Sequence, residues 1–250
     1  MSATADNRAD TATHYDPEKN ATGDHYCFSE TTPTYIRHDF VKKVFGIVTA
    51  QLCATFAFML LSYNVEPMND FFRRRMYIGI LAFVVFIIIS VVISCKRSLA
   101  HNKGVATSLI VVMTLCMALY VTCFAVHFSQ FEITLAAGIT AALTFAITMF
   151  ALQTKYDFTG WLMYLFCISF AMLFAGILMV IFPNKIARVC YSTIGAALVC
   201  IYLVVDIQLA VGGKKYEWTI DDYVIAAVSI YSDIISLFIH ILSIIGKVNE

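Results

Sequence analysis

The chain has 250 residues and carries 17 basic against 17 acidic side chains, a formal net charge of +0. Only 14% of its residues are charged while 60% are hydrophobic, and mean hydropathy is +0.78. A soluble domain needs a more charged surface than this, so the composition describes a polytopic membrane protein. Balanced charge without a basic, aromatic-interleaved patch sets nucleic acid aside as a partner.

Residues 1 to about 38 are polar, mixed in charge and poor in aliphatics. They are expected to form a disordered cytosolic tail, because they hold too little apolar surface to fold. No basic start followed by an apolar core marks a cleavable signal peptide, so the first membrane helix is expected to direct insertion. Asn20-Ala21-Thr22 is a glycosylation sequon that stays bare in a cytosolic tail. Residues 39–250 read as one transmembrane domain. Its apolar runs lie near 44–64, 77–95, 104–126, 131–152, 160–182, 189–211 and 222–245, each close to the ~20 residues that a bilayer crossing needs. Short connections make successive helices antiparallel neighbours. The fold class is therefore all-α, a seven-helix membrane bundle.

Orientation follows Lys and Arg. One side holds Arg37, Lys42, Lys43, Lys96, Arg97, Lys103, Lys155, Lys214 and Lys215. The other holds Arg73, Arg74, Arg75, Lys185, Arg188 and Lys247. The bias places the amino terminus in the cytosol. The eight cysteines are scattered along the apolar runs without a CxxC pair. They read as small apolar fillers rather than a disulfide framework or zinc site.

The last run carries a polar ladder: Asp222, Ser229, Asp233, Ser236, His240 and Ser243, with Ala226 in the one missing rung. Alternating steps of three and four keep these residues on one narrow helix face. A polar seam is not turned to lipid, so this helix is expected at the centre of the bundle.

Two acids lie deep in the predicted spans, Asp206 and Asp233. They fall on successive helices that antiparallel packing makes neighbours. Two carboxylates in a low dielectric do not both ionise cheaply; they would share a proton and titrate as a pair. Such a dyad senses pH, and its ionised form offers hard oxygen ligands to a transient Ca²⁺. Gln208, Ser229, Ser236 and His240 are candidates for an ion path beside it, with Glu132 at the start of the fourth span a further one. The competing reading has each acid neutralised by Lys or Arg as helix-to-helix glue. Thr140, Thr144 and Thr148 share one face and read as structural hydroxyls.

Beyond these residues the chain resembles a known family. Gln153-Thr154-Lys155-Tyr156-Asp157-Phe158-Thr159 is similar to the signature of the Lifeguard branch of the Bax inhibitor-1 (TMBIM) family. The resemblance continues through Phe131-Glu132, Gly138-Ile139-Thr140-Ala141, Val205-Asp206-Ile207-Gln208-Leu209 and Tyr231-Ser232-Asp233-Ile234-Ile235. It takes in the close, Ile241-Leu242-Ser243-Ile244-Ile245-Gly246, and runs from about residue 35 to the end. It implies a seven-helix bundle with the last helix central, a pH-sensitive Ca²⁺ leak and suppression of apoptosis. The family's paired acids carry over onto Asp206 and Asp233. A family arginine that pairs with them in the closed state has Arg97 and Lys103 as candidates here. Ile207 replaces the usual Thr, and His240 stands where an aromatic is common.

The resulting expectation is a non-enzymatic Ca²⁺ leak gated by Asp206 and Asp233, without a cofactor and with Ca²⁺ as the permeant ion. Its partners are the lipid bilayer and apoptosis-regulating or receptor membrane proteins, and an endomembrane (ER or Golgi) is favoured over the plasma membrane. The alternative is a non-conducting membrane interaction protein. A third reading, an intramembrane aspartyl protease, lacks the Gly-x-Gly-Asp element at Asp233.

Overall fold

The computed structural model describes residues 34–96, 103–182, 184–212, 218 and 222–248. The tail through residue 33, Arg97, Lys214 and Lys215 lie outside them. Among the described residues every regular element is helical: α1 (Thr34–Asn64), α2 (Glu66–Arg74), α3 (Met76–Cys95), α4 (Lys103–Ala125) and α5 (Gln130–Gln153). A 3₁₀ turn (Thr159–Trp161) then leads into α6 (Leu162–Ile181), α7 (Lys185–Val211) and α8 (Tyr223–Val248). All but α2 are long and apolar enough to cross a bilayer, so the protein is a multi-pass membrane protein.

The first helix begins well before its apolar run. Phe40, Val44 and Val48 are buried at four-residue spacing while Lys42 and Lys43 stay exposed. One face thus keeps its packing through the polar flank and the helical hydrogen bonds continue. Lys43 Nζ lies 3.2 Å from the ring centroid of Tyr223, fastening the start of α1 to the start of α8. The short α2 occupies a connection read from the sequence only for the arginines that set orientation. Pro67 sits in its first turn, where a missing N–H goes unused, and Glu66 and Arg73–Arg74 complement the dipole at its two ends. Phe72 anchors it, buried against Phe58 of α1.

Burial ranks the helices from centre to rim. In α8, 61% of the most apolar stretch is buried, against 50% in α7 and 6% in α6. The last helix packs on α1, α4, α5 and α7, whereas α6 leans mainly on α7. Tyr231, Ile235, Phe238 and Leu242 fill the centre with Met113 and Met117 of α4, Met59 of α1 and Leu203 of α7. Phe56 meets Phe238 edge-on at 5.3 Å. The rim helix turns Met163, Phe166, Phe170 and Leu173 outward, a surface that lipid tails solvate.

In lipid, helices are held by close contact and interhelical hydrogen bonds, because hydrocarbon competes equally for apolar surface. Gly195 of α7 shows the consequence: a Cβ there would stand 2.4 Å from the His240 ring of α8. Gly212 closes α7 at φ 75°, a left-handed position where a side chain is strained, and its N–H caps Gln208 O. We expect Gly195→Val to lower the thermal unfolding midpoint of the purified protein through an overpacking cost of about 1–3 kcal/mol. His240→Ala in the same chain should restore part of that loss.

Candidate functional site

The site grows out of the α7–α8 pair, which turns back on itself so that Asp206, near the end of α7, faces the first half of α8. Asp206 is 5% exposed. Its Oδ2 accepts a hydrogen bond from Ser229 Oγ, and its carboxyl lies within hydrogen-bonding reach of Asp233. Asp233 is half-buried as a residue, but its Oδ2 is shielded from the surroundings and has no hydrogen-bond partner. It stands roughly 15 Å along α8 from Tyr223 at 1.5 Å per residue, far inside the span. Among the described residues no Lys, Arg or His comes within ion-pair distance of either acid. The two acids therefore meet each other and a serine.

Two cavities approach this pair along the ladder of α8. The first, of about 120 Å³, is lined by Ser90 and Ser94 of α3 with Ser229 and Ser232 of α8. It lies toward the face that carries the α3–α4 and α7–α8 connections, here the first face. The second, of about 530 Å³, opens toward the opposite, second face and takes in Ser236, His240 and Ser243. Asp233 sits between the rungs that line the one and those that line the other. Ser232 spends its hydroxyl on Ser229 O at 2.9 Å, leaving the Ser229 hydroxyl to Asp206.

Other residues singled out from the sequence fall elsewhere. Gln208 is buried, and both halves of its amide are committed: Oε1 accepts from Phe158 N and Nε2 donates to Tyr156 O, each at 2.9 Å. It clamps the connection after α5 rather than lining either cavity. Asp157 completes that clamp by accepting from Thr159 N and Thr159 Oγ1 at 2.9 and 2.6 Å, so the 153–159 signature is a folded strap. Glu132 forms a capping box with Ser129 at the start of α5, and it too lines neither cavity. His240 packs on Gly195 with its ring 6.1 Å from that of Tyr191. Thr140 and Thr148 donate to the carbonyls of Ala136 and Thr144 at 2.7 Å, the structural role read from their pattern, while the Thr144 hydroxyl has no partner among the described residues. Arg97 lies outside the described residues, and Lys103 opens α4.

One contact had no clear sequence signal. Thr55 of α1 and Tyr231 of α8 share a buried hydrogen bond of 2.6 Å between their hydroxyls. Tyr231 precedes Asp233 by two residues, so this bond fixes the outer helix to the turn that carries the acid. A lone hydroxyl in an otherwise apolar stretch of α1 was the only hint. Among the described residues no cluster of three or more His, Cys, Asp or Glu side chains would hold a metal. Ca²⁺ takes six to eight oxygens, more than two carboxyls and one serine supply.

An all-helical membrane bundle with paired acids at its centre is the class of protein that this fold and site define. The chain belongs to the Bax inhibitor-1 family: residues 37–250 match the family described as "Inhibitor of apoptosis-promoting Bax1". It is similar to Protein lifeguard 3 of Homo sapiens, 28% identical over 240 residues that cover 94% of this chain and 77% of that one. The Mus musculus Protein lifeguard 3 is 27% identical over 238 residues, covering 93% and 77%. Protein LIFEGUARD 3 of Arabidopsis thaliana is 28% identical over 218 residues, covering 84% and 85%. All three of these relatives are Lifeguard proteins.

Because Gln208 satisfies two backbone groups at once, Gln208→Leu should remove both its bond from Phe158 N and its bond to Tyr156 O. We expect a cost of about 1–3 kcal/mol, read as a lower unfolding midpoint. Faster amide exchange at Phe158 should accompany it.

Proposed function

We propose that the protein is a pH-sensitive Ca²⁺ leak of the Bax-inhibitor and Lifeguard type that lowers the tendency toward apoptosis, gated by Asp206 and Asp233. The observation that carries this reading is the position of the acid pair between two cavities that approach from opposite faces. A proton shared by the two carboxyls keeps them together and the path between the cavities closed. Loss of that proton leaves two like charges in contact. Their repulsion is on the order of 4 kcal/mol at 4 Å for an effective dielectric near 20, enough to separate α7 from α8 locally and admit water. The exposed carboxylates then offer a passing Ca²⁺ the hard oxygens it prefers.

The sign follows from the chemistry: flux rises as pH rises through the titration of the pair, and falls on acidification. Ser229 donates its hydroxyl to Asp206 and so ties that acid to α8. The Lys and Arg distribution supports a cytosolic amino terminus, and we read an endomembrane as the site of residence.

Liposomes holding the purified protein test the reading. Wild type should pass Ca²⁺ faster at pH 8 than at pH 6, and Asp206→Asn or Asp233→Asn should flatten that difference. A wild-type protein that is folded and inserted yet passes no Ca²⁺ at either pH would sink the proposal. Partner capture would then decide for the interaction reading.

A further inference from the structure

The cavity on the second face has a property the leak does not use. Five hydroxyls line it, from Tyr120, Tyr191, Ser192, Ser236 and Ser243, together with the guanidinium of Arg188 and the imidazole of His240. Among the described residues no Asp or Glu is in its walls. None of these seven side chains has a side-chain hydrogen bond within the described residues. Ser192 is the sharpest case: it is only 4% exposed, aimed into the cavity and unpartnered. Buried polar groups are normally paired, and Ser192 breaks that rule; the half-buried hydroxyls and imidazole and the exposed Arg188 turn on the same space, so the cluster points to a ligand rich in acceptors.

The charge and depth narrow the chemistry. Arg188 lies in the first turn of α7, where the positive end of the helix dipole adds to its own charge. That turn stands at the end of the span, the depth at which the phosphates of a bilayer lie. A guanidinium is suited to phosphate oxygens, which it can hold through two parallel N–H donors. Deeper in, Phe83, Phe124 and Ile239 give the cavity an apolar wall. We propose that this cavity binds a phosphate monoester, held by Arg188 with Ser192 beneath it. The phosphate can come from the headgroup of an anionic lipid or from solution, and the proposal stands whether or not the protein conducts Ca²⁺.

Binding of three probes to the purified full chain in detergent tests it: dioctanoyl phosphatidate, dioctanoylglycerol with the same tails and no phosphate, and inorganic phosphate. Native mass spectrometry and the shift in unfolding midpoint give the readout. We expect phosphatidate to bind and to raise the midpoint, and dioctanoylglycerol to do neither. Arg188→Gln should weaken phosphatidate binding by about tenfold or more. Ser192→Ala should weaken it less, and Lys185→Gln, a cation outside the cavity, should leave it intact. Inorganic phosphate that binds with the same Arg188 dependence assigns the site to soluble phosphates as well; phosphatidate alone assigns it to lipid. Failure of both phosphates to bind, equal binding of dioctanoylglycerol, or equal losses in Arg188→Gln and Lys185→Gln would overturn the proposal.

Discussion

Two carboxyl groups in contact inside a membrane-spanning bundle set the terms for the rest of this structure. An acid facing hydrocarbon costs several kcal/mol, so Asp206 and Asp233 have to be enclosed by helices on every side. That requirement puts α8 at the centre, with α1, α4, α5 and α7 around it. It sets α7 against α8 closely enough that only a glycine fits at residue 195 beneath the His240 ring. It also accounts for a rim helix such as α6, which is nearly bare of buried residues and adds a layer of apolar cover.

The contacts around the pair are of two kinds. Some hold the frame: the Thr55–Tyr231 hydrogen bond ties α1 to α8, and the Gln208 amide ties the end of α7 to the strap after α5. Both lie two residues from an acid, so the backbone on each side of the pair is anchored. Among the described residues the acids have only each other and Ser229 as side-chain hydrogen-bond partners, with Cys200 and Tyr202 nearby. A rigid frame around a weakly satisfied pair confines any change of protonation to the seam between α7 and α8. The two cavities approach the pair along α8, the first from the side of α3 and α4.

Much of this was legible in the chain. The ladder from Asp222 to Ser243 marked α8 as the helix that others must cover, because a polar seam has one physical solution in lipid. Asp206 and Asp233 followed from depth and antiparallel neighbourhood. Gln208 was placed on the ion path because a buried amide two residues from an acid has no pattern to say which way it turns. On a helix that offset is about 200°, and the amide reaches the strap instead. The α2 helix was hidden since its polar composition reads as a connection, and its helicity depends on Pro67, its end charges and one phenylalanine anchor. Glu132 lay three residues after Ser129, a capping-box spacing, but an acid near a span drew the functional reading. Cavities depend on how several helices meet, and no single stretch encodes them.

The most direct test of the central claim is the infrared carboxylic-acid stretch of the reconstituted protein, titrated alongside Ca²⁺ flux. A band from the protonated pair should vanish over the same pH interval in which flux rises, and either Asp206→Asn or Asp233→Asn should abolish the paired signal. Flux that rises while the band stays unchanged would place the gate elsewhere and contradict the account.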